Sequence, residues 1–214
     1  MIKFNIFGFP VEVHWPFWII AALLSGAATA QGPDGIIFML IGIAVIFVSI
    51  LVHELGHAFA MKHFGERRAE ITLHSFGGYV RGTNFRTRTE QIIISAAGPA
   101  AGGLLGLLAF MLSGPWLAEF KWLAVVVYKL MWVNIVWTIF NLLPIYPMDG
   151  GQISVAFMSK RPGGERTALI ISMICAGALA LWQLSVGSLF NTALLALFAY
   201  NNYQLLNNRP QLGM

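Results

Sequence analysis

Residues 36–64 read IIFMLIGIAVIFVSILVHELGHAFAMKHF, an apolar run that ends around His53-Glu54-Leu55-Gly56-His57. A continuous apolar segment of about eighteen or more residues predicts a membrane-spanning helix. Histidines four apart share one face of a helix, where both can ligate a single metal. The glutamate after the first can act as general base toward a metal-bound water. On a soluble helix the string is only suggestive, because buried histidines often serve as hydrogen-bonded packing residues. Here the ionisable groups stand in hydrocarbon at a heavy desolvation cost, and chemistry explains them better than packing does.

The rest of the chain agrees with a membrane setting. Its 214 residues are 57% hydrophobic and 10% charged, with mean hydropathy +0.72. Soluble domains are usually about 25% charged. The single cysteine, Cys175, excludes an intrachain disulfide framework. The net charge of +4 is no nucleic-acid footprint, because the basic residues fall in short loops between apolar stretches. The first long apolar stretch starts only near His14 and no small-residue cleavage site follows it, so no cleavable signal is expected.

Periodicity and breakers predict an all-α polytopic membrane protein forming one domain over residues 1–214. Six spans are expected, at residues 16–30, 36–64, 91–112, 122–143, 167–186 and 189–205. Gly32-Pro33-Asp34-Gly35 is expected to be a tight turn. Ile71–Arg81 alternates partly and turns at Gly77-Gly78, which predicts a small membrane-associated β-hairpin after the second span. Arg67, Arg68, Arg81, Arg86 and Arg88 lie in the loop after that span, and Lys160, Arg161 and Arg166 in the loop after the fourth. Lys3 and Arg209 lie in the tails, whereas the opposite-side connections hold only Lys121. This bias predicts that both termini are cytoplasmic in the cell membrane. His57 then lies roughly 12 Å below the cytoplasmic end of its helix, inside the membrane zone.

A catalytic zinc usually takes three protein ligands and keeps a position open for water. Acidic residues are few, and most lie in loops or tails. Asp149 stands out, just past the fourth span in Asn141-Leu142-Leu143-Pro144-Ile145-Tyr146-Pro147-Met148-Asp149-Gly150-Gly151 and on the side where the second span ends. Two prolines break regular helix there, and irregular backbone at membrane depth must be buried in protein or line a wet cavity. A cap on a short helix over 150–158 is the competing reading of Asp149, and Asn141 could simply end the fourth span.

His53-Glu54-Leu55-Gly56-His57 with Asn141-Leu142-Leu143-Pro144 and Met148-Asp149-Gly150, joined by Ala97-Gly98-Pro99 and Phe76-Gly77-Gly78-Tyr79, resembles the site-2 protease family of intramembrane zinc metalloproteases. The likeness runs from the second span to Asp149 and is nearest to compact prokaryotic members without a PDZ domain. The resemblance implies one zinc held by His53, His57 and Asp149, with Glu54 as catalytic base. It implies hydrolysis of peptide bonds in or near transmembrane segments, in single-pass membrane proteins or signal-peptide remnants. It also implies that Asn141, Gly77 and Gly78 meet substrate, which would unwind and add to a sheet edge. Where many relatives carry an asparagine after the Gly-Pro of the third span, this chain reads Ala100-Ala101-Gly102-Gly103.

Other readings compete. Gly98, Gly102 and Gly106 recur at helical spacing and suit close helix packing. Lys129 could neutralise Glu54, although it should lie in the outer half of its span. A membrane metal-ion transporter would also bury histidines and acids, but would spread its ligands along a path. A non-catalytic scaffold would have no need of all four key residues. A zinc protease with a glutamate as third ligand would need one at a comparable broken helix end.

Overall fold

The computed structural model describes residues 1–75, 77–82 and 87–208. Phe76 of the expected glycine motif, and Arg86 and Arg209 of the charge pattern, lie outside them. The described residues form two compact units, the first drawn from residues 1–85 and 97–139, the second from 86–96 and 140–214.

In the first unit a sheet packs on one end of a long helix. Strands β1 (Ile2–Ile6) and β2 (Phe9–Val13) form an antiparallel hairpin. Its two-residue turn places Phe7 at φ 51° and Gly8 at φ 85°, the left-handed pair that matches strand twist. β2 runs parallel to β3 (Glu70–His74), which pairs antiparallel with β4 (Gly77–Arg81). Helix α1 covers Trp15–Leu24, and α2 covers Gly32–His63. Inward residues of the sheet (Phe9, Val11, Val13, Ile71 and Leu73) pack with Phe17 and Ala21 of α1 and Ile50, Leu51, Leu55 and Ala58 of α2. The sheet therefore braces the half of α2 that carries the two histidines. Most of α3 (Arg88–Leu112) and α4 (Lys121–Asn141) completes this unit, with a 3₁₀ turn at Pro115–Glu119 between them.

In the second unit α5 (Asp149–Met158), α6 (Gly164–Ser185) and α7 (Leu189–Asn208) follow the broken segment 142–148. That segment's polar backbone is well satisfied. The Tyr146 N–H donates to Ser172 Oγ at 2.7 Å, and its carbonyl accepts from Asn202 Nδ2 at 2.7 Å. The Pro147 carbonyl accepts from Gln152 Nε2 at 3.1 Å. Gly150 and Gly151 are required by close approach: a Cβ at either would lie 2.2–2.3 Å from the backbone of Leu142 or Tyr146. Ile145 and Met148 are buried against Ala176, Ala180 and Leu195.

Several expectations need correction. Among the described residues four helices (α2, α3, α4 and α6) are long and apolar enough to cross a membrane, and they mark a membrane protein. Of the other two expected spans, α1 has only ten residues, about 15 Å against a hydrocarbon core of about 30 Å. Its chain turns at Gly26 instead of continuing to residue 30. α7 is long enough, but amides at Asn191, Asn201, Asn202 and Gln204 hold its hydropathy down. Gly32–Gly35 is not a free turn but the first turn of α2, where Pro33 loses no hydrogen bond and Asp34 faces the positive helix end. The expected hairpin exists as β3–β4, but inside a four-stranded sheet.

Candidate metal centre

In the half of α2 that carries the motif, the polar residues Ser49, His53, Glu54 and His57 are turned into protein. His53, Glu54 and His57 are all buried, at 3%, 3% and 9% exposure. The helical spacing of four stacks the imidazoles edge to face, with ring centroids 4.8 Å apart. Their Nε2 atoms are 3.2 Å apart. Two nitrogens bound to one tetrahedral zinc at about 2.0–2.1 Å are separated by about 3.3 Å. The pair therefore already has the spacing of one edge of a zinc tetrahedron, and the residues fit the metal.

Two glycines make room for these side chains, and a third lets their helix approach α3. A Cβ on Gly98 of α3 would lie 2.2 Å from His57 Nε2, far inside contact distance. A Cβ on Gly56 would lie 2.4 Å from the Ala97 carbonyl oxygen, so α2 and α3 approach almost backbone to backbone. A Cβ on Gly78 of β4 would lie 2.5 Å from Glu54 Cγ and 2.6 Å from its Oε1. A Cβ on Gly77, at φ 121°, would lie 3.2 Å from the Trp137 ring. The Gly77-Gly78 pair thus lets β4 lie directly over the Glu54 carboxylate.

Lys129 does not neutralise Glu54. Its Nζ stands 3.6 Å from the centroid of the Phe38 ring, sixteen residues earlier on α2, or about 24 Å along the helix. Outside the spans, burial and then the charge of nearby His14 push the His74 pKa below its ordinary value. The hydrogen bond from Lys3, on the neighbouring strand, lowers that of Glu12.

Asp149, in the second unit, is buried at 6% exposure. It is the first residue inside α5, not its cap. Met148 holds the N-cap position and makes no side-chain cap bond, and the Gln152 N–H bonds the Met148 carbonyl at 2.9 Å. Asn141 is the last residue of α4, as its helix-ending reading requires. Sequence reasoning missed the parts that Gly98 and Gly78 play beside the motif. Glycines four apart signal close approach of some kind, but not what approaches.

Comparison with known proteins bears on the same residues. A profile described as Peptidase family M50 matches residues 41–119 and 115–182. Zinc metalloprotease MJ0392 of Methanocaldococcus jannaschii is 30% identical over 200 residues, covering 92% of this chain and 57% of that protein. Putative zinc metalloprotease Rip3 of Mycobacterium tuberculosis is 31% identical over 202 residues, covering 86% of this chain and 50% of Rip3. Stage IV sporulation protein FB of Bacillus subtilis is 32% identical over 154 residues, covering 71% of this chain and 48% of that protein. The chain thus spans about half the length of the curated relatives it matches. Among solved structures, the site-2 protease from Methanocaldococcus jannaschii aligns over 100% of this chain and 98% of that one, with TM-score 0.65 and 26% identity. Profile, relatives and architecture agree, and the chain belongs to peptidase family M50, the site-2 protease family.

Proposed function

We propose that this chain is an intramembrane zinc metalloendopeptidase that cuts membrane-protein substrates within or near their transmembrane segments. The observation that carries the reading is the pair of buried imidazole nitrogens 3.2 Å apart on an apolar helix, with a glutamate between them. Membership of a peptidase family and relatives named as zinc metalloproteases support it. His53 and His57 hold the zinc through Nε2, and a carboxylate oxygen of Asp149 is the third ligand. Its burial, and its place inside the first turn of α5 rather than at the N-cap, support that role. When bound, zinc acidifies a water and polarises the scissile carbonyl.

Glu54 takes the proton from the attacking water and returns it to the departing amine. Gly78 holds β4 against that carboxylate, which fixes where the proton is received. β4 is an edge strand of the sheet, the one that lies over Glu54. A substrate segment unwound from its helix adds along it, with Gly77, Gly78 and Asn141 meeting its backbone. Unwinding is needed because a helical amide is shielded and its carbonyl is already hydrogen-bonded. The substrates are single-pass membrane proteins or signal-peptide remnants, presented from the lipid bilayer, and no nucleic acid is involved.

The whole chain acts as one protease domain, in which α7 adds to the four membrane-crossing helices and the ten-residue α1 enters the bilayer only partway. Both termini and the opening of the site face the cytoplasm, supported by the basic residues after α2 and α5. Single cysteines at positions 67 and 160 are then expected to react with an impermeant thiol reagent only from the cytoplasmic side. Labelling from outside would overturn the orientation.

The activity is tested with purified protein and a generic single-span substrate. Cleavage is expected to stop with a zinc chelator and return with added zinc. Asp149→Asn is expected to weaken zinc binding and stop cleavage with little change in melting temperature. Unchanged zinc affinity would remove Asp149 from the ligand set.

A further inference from the structure

Lys129 places a charge inside the membrane-crossing helix α4, at the eighth position after Lys121 and about 12 Å along the axis. An ionisable group in a span is costly and ordinarily meets a partner of opposite charge. Among the described residues Lys129 makes no ion pair, and Asp34, the acid on the neighbouring end of α2, is taken by Lys121. What holds the ammonium is a ring: Nζ stands 3.6 Å from the centroid of Phe38. Gly42, one turn further along α2, keeps the space clear, since a Cβ there would lie 3.1 Å from Nζ. Ser25 Oγ is also near Gly42, but it is buried and makes no hydrogen bond among the described residues, so it does not share the charge.

A lysine that only reached for water would extend past this point. The exposed Lys121–Asp34 pair, with Trp122 beneath Lys121, marks the polar level at this end of the helices. Phe38 stands four residues inward of Asp34, about 6 Å. The ammonium therefore stops about one turn short of that level, half-buried. Inward of it a groove of about 190 Å³ runs between α2 and α4, lined by Ile41, Ala44, Val45, Val48, Val126 and Leu130. All six are aliphatic. Val126 is one turn from Lys129 on α4, and Ile41, Val45 and Val48 continue the face of α2 that begins at Phe38. From Phe38 to Val48 is ten residues, about 15 Å, the depth of one leaflet in a hydrocarbon core about 30 Å thick.

We propose that Lys129 and this groove form a binding site for one anionic phospholipid, in the leaflet opposite the end of α2 that carries His53 and His57. A phosphate oxygen pairs with Lys129 Nζ, and one acyl chain fills the groove. Because the Lys121–Asp34 pair is neutral, the charge of Lys129 is left uncompensated. A headgroup with a single negative charge neutralises the site, whereas a zwitterionic one does not. The site rests on α2 and α4 crossing the membrane and is independent of the protease reading.

Native mass spectrometry of the purified full chain in neutral detergent tests this. Phosphatidylglycerol is the probe, with phosphatidylcholine of the same chains for comparison. The wild type is expected to retain phosphatidylglycerol in preference. Lys129→Met is expected to lower that affinity about fivefold, the effect of one basic residue at an anionic headgroup, and Lys129→Arg to keep it. Ala44→Trp fills the groove and leaves the charge. It is expected to weaken binding of the long-chain lipid but not of dihexanoyl phosphatidylglycerol. Lys62→Met removes an equal charge at the other end of α2 and is expected to change neither. Melting temperatures measured alongside show that each variant is folded. Equal affinity in wild type and Lys129→Met, an equal loss in Lys62→Met, or no preference over phosphatidylcholine would overturn the proposal. So would unchanged long-chain binding in Ala44→Trp, or preferential binding of oleate, which carries a carboxylate and no phosphate.

Discussion

Glu54→Gln is expected to lower the rate of substrate cleavage by about 10²–10⁴-fold while leaving one zinc bound per chain. Glutamine keeps the size of the side chain that lies under Gly78, so β4 and the sheet keep their places. What it loses is the ability to accept a proton from water and pass it on. Zinc content and melting temperature measured beside the rate make the outcome specific. Retained cleavage would remove Glu54 as the base. Loss of zinc together with activity would make the residue a ligand or a structural support instead.

Gly98→Ala is expected to have the second large effect, and through different physics. Alanine is the better helix former by about 1 kcal/mol, so propensity alone predicts a more stable α3. A methyl 2.2 Å from His57 Nε2 cannot coexist with that ring position, however. His57 sits on a packed helix beside His53 and has no open space to swing into at 9% exposure. Zinc affinity is expected to fall by more than the roughly 10–100-fold that loss of an outer partner costs. Titration of zinc into the variant checks this, and wild-type affinity would show that the ring is not where the metal binds.

The motif was readable because its physics is local. A 3.6-residue period fixes which residues share a face, and hydrocarbon makes an unneeded histidine or glutamate expensive. The strands around Gly77 were readable for a similar reason, since alternation broken by glycines needs no distant partner. The β1–β2 hairpin went unread. Its signal is two short alternating runs around Phe7-Gly8, and its parallel partner β3 lies some sixty residues away in the sequence. α1 was read too long because apolar composition continues through residue 30, although the backbone turns at Gly26. The glycine ladder of α3 is the instructive case. Spacing of four suggested helix packing throughout, which suits Gly106, but Gly98 faces a histidine nitrogen and Gly102 the Thr138 hydroxyl. Sequence periodicity says which residues line up, not what lies opposite. Asp149 was singled out by the scarcity of acids and the broken backbone before it. The structure puts it one position inside α5, with Met148 at the N-cap, because the helix begins one residue earlier than spacing suggested.

X-ray absorption at the zinc edge of the purified full-length chain probes the claim on which the mechanism rests. The account predicts one zinc per chain, with two imidazole nitrogens and carboxylate or water oxygens at about 2.0–2.2 Å, and loss of the imidazole scattering in His53→Ala/His57→Ala. A protein purified without stoichiometric zinc that cannot be reloaded would contradict it. So would a spectrum unchanged in that double variant.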